Sequence, residues 1–115
     1  MKILLSTKSK KDLKKLSKKY PSISGDLQNT LKAMLSGKVT GDKLQNMGEL
    51  PLYKLRVKLS DSNKGKSAGA RVIYYYAINE DSILVITIYV KADKAGISRK
   101  EIDAILDNTG FKLKK

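Results

Sequence analysis

The chain has 115 residues, with 24 Lys and Arg against 11 Asp and Glu, a formal net charge of +13; this length suits one domain with a modest core, residues 1–115. Hydrophobic residues make up 41% of it, too many for a disordered tail, and with neither cysteine nor histidine it excludes disulfides, thiolate zinc sites and imidazole chemistry. A field so positive draws polyanions: nucleic acid first, then an anionic membrane, then an acidic protein.

The opening "KILLS" reads as a short strand, and "MKILLS" is too short for the apolar region of a signal peptide. A cytoplasmic protein is the expectation, since the apolar run from Ile83 to Val90 is also far below spanning length, and nucleic acid is favoured so that no membrane partner is expected. Next, "TKSKKDLKKLSKKY" sets Leu13, Leu16 and Tyr20 at helical spacing, with Thr7 as N-cap and seven lysines on the wet side. Pro21 stops that helix. "SISGDLQNTLKAMLSGK" gives a second one, with Leu27, Leu31, Met34 and Leu35 as its stripe and Gly37 as its stop.

"VTGDKLQNMGELP" reads as a loop. After it "YKLRVKL" alternates Tyr53, Leu55, Val57 and Leu59 with Lys54, Arg56 and Lys58, a strand with one buried and one wholly cationic face. "SDSNKGKSAG" is a loop by composition, "ARVIYYYAI" a strand, and "ILVITIYVK" a strand apolar on both faces and so interior to the sheet. The end, "ISRKEIDAILDNTG", has Ser98 and Glu101 at capping-box spacing, an inner stripe of Ile102, Ile105 and Leu106, and Gly110 as its stop. The expected fold is α/β (α+β): a β-α-α-β-β-β-α order, with a small, mainly antiparallel twisted sheet.

Alternate residues on a strand lie about 6.6 Å apart on one face, close to the spacing of phosphates along a nucleic-acid chain. Lys54, Arg56 and Lys58 can each meet one. A solubilising strand face usually mixes signs, whereas no acid interrupts this one. A hairpin to the next strand adds Lys64, Lys66 and Arg71, six cations in eighteen residues with Asp61 alone against them. By parity Tyr75 shares a face with Arg71, while Tyr74 and Tyr76 share the other with Val72 and Ile78 as packing residues. Tyr89 shares parity with Lys91 near a strand end, where a ring beside a cation can stack on a base or donate its hydroxyl.

The blocks "YKLRVKL", "GKSAGARVIYYY" and "ILVITIYVKAD", closed by an amphipathic helix, resemble the RelE/ParE toxin superfamily. Within it they resemble the HigB-like branch, whose signature reads GK(S)GG, an aromatic or alanine, then Arg-Val. The likeness covers Leu50 to Leu106 closely and the first two helices by pattern. It implies a toxin of a toxin–antitoxin pair that cuts messenger RNA on the ribosome, using no metal and no small-molecule cofactor, with a cognate antitoxin as its protein partner. Lys54, Arg56 and Lys58 match the family's basic strand, Lys66 its loop lysine, Arg71 the arginine opening the next strand, and Tyr89 and Lys91 the strand end.

In such a reaction the substrate's 2′-hydroxyl attacks the adjacent phosphorus. Arg56 and Arg71 would bind phosphate and stabilise the transition state, Lys54 or Lys58 would take the proton, and Lys66, Lys91 or Tyr89 would return one to the leaving oxygen. Some relatives use a histidine or glutamate, but here there is no histidine and no carboxylate on the basic strands. Lys10, Lys11, Lys14 and Lys18 on the first helix are candidate RNA-docking residues or simply a solvated face. The competing function is a basic nucleic-acid binder without catalysis, or a ParE-like topoisomerase inhibitor.

Overall fold

The computed structural model describes residues 2–38, 41–45, 51–59, 69–77, 82–90 and 96–109. Strand β1 (Lys2–Leu5) leads into helices α1 (Thr7–Lys19) and α2 (Ile23–Leu35). Strands β2 (Asp42–Lys43), β3 (Leu52–Val57), β4 (Ala70–Ala77) and β5 (Ser82–Val90) follow, and then α3 (Arg99–Thr109). They form one sheet in the order β1-β5-β4-β3-β2, antiparallel except that β1 runs parallel to β5.

Local chemistry sets most boundaries. The N-cap of α1 is Ser6 and not Thr7: the Ser6 side chain accepts from the Ser9 backbone, and Ser9 Oγ donates back to the Ser6 carbonyl. Both residues are good caps. Ser6 wins because its own N–H continues the β1 ladder onto the Val85 carbonyl at 3.0 Å, which leaves Thr7 inside the first turn. Pro21 pushes Tyr20 out of helical geometry (φ −130°, ψ 82°), ending α1. Gly37 sits at φ 81° just past α2, the left-handed conformation that favours glycine at a helix end. Ser98 Oγ accepts from the Glu101 N–H at 3.1 Å, the capping box at the start of α3. Gly110 and Ile78 lie outside the described residues.

Two hydrophobic layers sandwich the sheet. On one face α2 buries Ile23, Leu27 and Leu31 against Leu55, Val57, Val72, Tyr74, Val85 and Ile88, while α1 adds half-buried Leu13, Leu16 and Tyr20. On the other face α3 buries Ile102 and Leu106 against Leu52, Ile73, Tyr75, Leu84 and Ile86. Each such side chain contributes on the order of 1.5–3 kcal/mol on burial, so both layers are needed to hold a chain this short. Leu35, read as part of the α2 stripe, is 44% exposed. Ile23, outside that reading, is fully buried in its place.

Two features correct the sequence reading of the sheet. The segment read as a loop contains β2, whose Asp42 and Lys43 pair with Lys54 and Tyr53, so the sheet has five strands and not four. In addition, β5 carries a register shift: Tyr74 pairs with Val85 but Ile73 pairs with Thr87, leaving Ile86 as an extra residue. Beneath β2, Tyr53 and Tyr74 stack with centroids 5.4 Å apart, and the Tyr74 hydroxyl lies against Gly41, where a Cβ would stand 2.3 Å from it. Gly41 is there because no side chain fits.

Candidate phosphate-binding face

Residues directly opposite on paired strands project to the same side of a sheet. Arg56 pairs with Arg71, and Arg71 in turn pairs with Tyr89, so these three form one row across β3, β4 and β5. With strands about 4.8 Å apart the row spans about 10 Å, the reach of a phosphodiester and its neighbours. Because Val72 and Tyr74 point into the α1/α2 core, Arg71 must project to the α3 side. Tyr75 goes with it, as parity requires, into the layer under α3.

The α3 layer occupies the other end of that face, over Leu52, Tyr75 and Leu84. At the row's end Arg56 is exposed, while Arg71 and Tyr89 are half-buried. Lys54, half-buried, lies one row inward opposite Ile73, and Lys58, exposed, follows β3. Val57 and Leu59 turn into the α1/α2 core on either side of Lys58 and so aim it to the arginine side.

The two arginines approach each other over a glycine. A Cβ at Gly69 would stand 2.9 Å from Arg71 Nη1, 3.4 Å from the Val57 carbonyl oxygen and 3.8 Å from Arg56 Cγ. Arg71 Nη1 reaches the Ala70 carbonyl only at 3.4 Å, a long and weak hydrogen bond. Among the described residues no ion pair to either arginine is seen, whereas Lys8 pairs with Asp12 and Arg99 with Asp103. Two cross-strand arginines with no counter-charge among the described residues make a site suited to an anion with several oxygens, since each offers a planar fork of donors.

The structure thus brings Lys54, Arg56, Lys58, Arg71 and Tyr89 to one face. Lys64, Lys66 and Lys91 lie outside the described residues. Lys10, Lys11, Lys14 and Lys18 are exposed on α1, on the opposite side of the sheet from the arginines. Sequence reasoning missed Asp42, which β2 places opposite Lys54 as the one carboxylate described on β2 to β5. A two-residue strand has no periodicity to read. Residue order alone gives Gly69 no particular role; that role becomes specific only once β3 and β4 are paired.

Burial, with Tyr53 close by, pushes the Tyr74 phenol above its ordinary 10.0, and a backbone hydrogen bond with Gly41 works in the opposite direction. Tyr74 lies on the α1/α2 side of the sheet and packs there. It is a core residue and not part of the arginine row.

No protein-family model matches the sequence, and no curated protein matches it significantly. Among solved structures, the E. coli toxin RelE, as a double arginine-to-alanine variant in the free state, aligns with a TM-score of 0.55. The alignment covers 93% of this chain and 94% of that one at 15% identity. The chain therefore has a RelE-like α+β fold.

Proposed function

We propose that this chain is a toxin of a type II toxin–antitoxin module, of the HigB-like branch, acting in the cytoplasm as a metal-independent endoribonuclease on messenger RNA held by the ribosome. The observation that carries this reading is the Arg56–Arg71–Tyr89 row at the open end of a RelE-like sheet. Arg56 and Arg71 grip the scissile phosphate and offset the charge that develops on its oxygens as the 2′-oxygen attacks phosphorus. The 5′-oxygen leaves, giving a 2′,3′-cyclic phosphate and a 5′-hydroxyl. No water or metal enters that step.

Proton traffic falls to the neighbours. Lys54 or Lys58 takes the 2′-hydroxyl proton, with Asp42 beside Lys54 as a further candidate base. Tyr89 faces Arg71 and is the described group best placed to protonate the leaving oxygen; Lys66 and Lys91 are the alternatives from the flanking segments. The lysines of α1 dock the protein on structured RNA from the far side of the sheet, through phosphate contacts that are independent of sequence. An acidic segment of the antitoxin covers the arginine face.

Expression in a bacterial host tests the reading. Messenger RNA integrity and translation should collapse with replication intact, and an Arg71→Ala variant should be tolerated. Collapse of replication with intact RNA would instead establish the topoisomerase-inhibitor reading, and no toxicity together with salt-sensitive RNA binding would leave a non-catalytic binder.

A further inference from the structure

Strand β5 serves both faces of the sheet with the run "SILVITIYV", which has no polar alternation to fix its register. Ile83 and Val85 point into the α1/α2 core. Regular alternation would send Thr87 and Tyr89 after them, into that core and away from the arginines. Instead Ile88 and Val90 enter that core and Tyr89 packs on the α3 side, opposite Arg71. The reversal is produced by the extra residue, Ile86. Bulges of this kind re-aim side chains next to functional sites.

The bulge lies where β1 stops pairing, since the parallel register ends at Leu5 with Val85. Beyond that point the polar groups on this edge of β5 need other partners. Ser6 Oγ donates to the Ile86 carbonyl at 2.6 Å. Asp12 Oδ2 accepts from Thr87 Oγ1 at 2.5 Å and from the Ile88 N–H at 3.2 Å, while Oδ1 pairs with Lys8. Asp12 is the one acid among the seven lysines of α1, and its side chain is 13% exposed. A lone carboxylate on a lysine helix, turned inward onto the backbone of a bulge, does more than balance charge.

We infer that Asp12 is a positioning residue: by holding the β5 bulge from the α1 side it turns Tyr89 onto the arginine face. The inference deepens the proposed RNA cleavage and rests on that reading for its functional consequence, though its structural half stands alone. Asp12 touches none of the row. It acts through the Ile88 N–H, one residue before Tyr89.

The test compares Asp12→Ala, Asp12→Asn and Thr87→Val with the parent by NMR and by cleavage of messenger RNA on ribosomes. Asparagine keeps an oxygen for both donors and should retain the Arg71–Tyr89 nuclear Overhauser contacts and most of the turnover. Alanine leaves a buried N–H without its acceptor, so Ile88 amide exchange should rise about tenfold or more, the Arg71–Tyr89 contacts should weaken, and kcat should fall about tenfold with little change in KM. If the alanine variant does not fold, Thr87→Val, which deletes one donor without touching α1, should move the same signals in the same direction. Unchanged Ile88 exchange and unchanged Tyr89 contacts in the folded variants overturn the inference, as does a kcat that stays constant while Tyr89 moves. Should the parent protein itself leave RNA intact, the functional reading fails, and the NMR comparison still decides what Asp12 does.

Discussion

Arg56 and Arg71 face each other directly across β3 and β4, and that pairing has a measurable cost in stability. Like charges opposite one another on antiparallel strands destabilise a sheet by about 0.2–1 kcal/mol. A separate estimate agrees: two unit charges about 6 Å apart in a water-like dielectric repel by about 0.7 kcal/mol. The exposure of Arg56 places the pair near that limit and far from a dry interior. Screening then gives about 0.6 kcal/mol at 0.01 M salt, where the Debye length is about 30 Å, and about 0.1 kcal/mol at 1 M, where it is about 3 Å. Arg56→Gln, which keeps most of the stem and removes the charge, should therefore stabilise the fold by about 0.6 kcal/mol at low salt, an advantage that all but vanishes at high salt. Urea denaturation at the two salt concentrations measures this, with Lys14→Gln on the exposed side of α1 as a control of equal charge change. A stabilisation no larger than the control's, or one independent of salt, would refute the idea that Arg56 and Arg71 repel each other across this strand pair.

Three further outcomes follow from the geometry. Gly41→Ala places a Cβ 2.3 Å from the Tyr74 hydroxyl and should cost about 1–3 kcal/mol in denaturant unfolding, less in a Tyr74→Phe background where that oxygen is gone. Because burial raises the Tyr74 phenol above 10.0, the folded state holds that proton more tightly than the unfolded chain does. Its contribution is complete below pH 10 and is lost as pH climbs through the folded-state value; thermal melts above pH 10 should thus show a steeper alkaline loss in the parent than in Tyr74→Phe. Gly69→Ala sets a methyl 2.9 Å from Arg71 Nη1, the free end of a flexible side chain. It should leave stability within about 1 kcal/mol while weakening binding of a non-cleavable RNA by about tenfold, as read by fluorescence anisotropy.

Much of this was legible in residue order because the signals were local. The alternation of Leu55 and Val57 with Lys54 and Arg56 specified both the strand and which face carries charge, and the parity of Arg71, Tyr75 and Tyr74 followed from β4 being regular. Leu27 and Leu31 marked the buried side of α2, and Ser98 with Glu101 marked the start of α3. What was not legible depends on contacts distant in sequence. Ser6 displaces Thr7 as the cap because β5 claims its backbone N–H. Asp42 joins the sheet because β3 offers it an edge, something no pattern of two residues can announce. The bulge at Ile86 lies in an apolar run where both faces look alike, and the information that sets its register sits in Ser6 and Asp12, some 75 to 80 residues earlier in the chain.

Cleavage of RNA at the Arg56–Arg71 pair can be measured with ribosomes programmed with a defined messenger and incubated with purified protein in the presence of a chelator, using Arg56→Ala and Arg71→Ala variants shown to be folded. The parent should yield fragments ending in a 2′,3′-cyclic phosphate and beginning with a 5′-hydroxyl, and each variant should cleave about a hundredfold more slowly or worse, the usual loss when a group stabilising transition-state charge is removed. Intact messenger with the parent protein, or undiminished cleavage by both variants, would contradict cleavage at that pair.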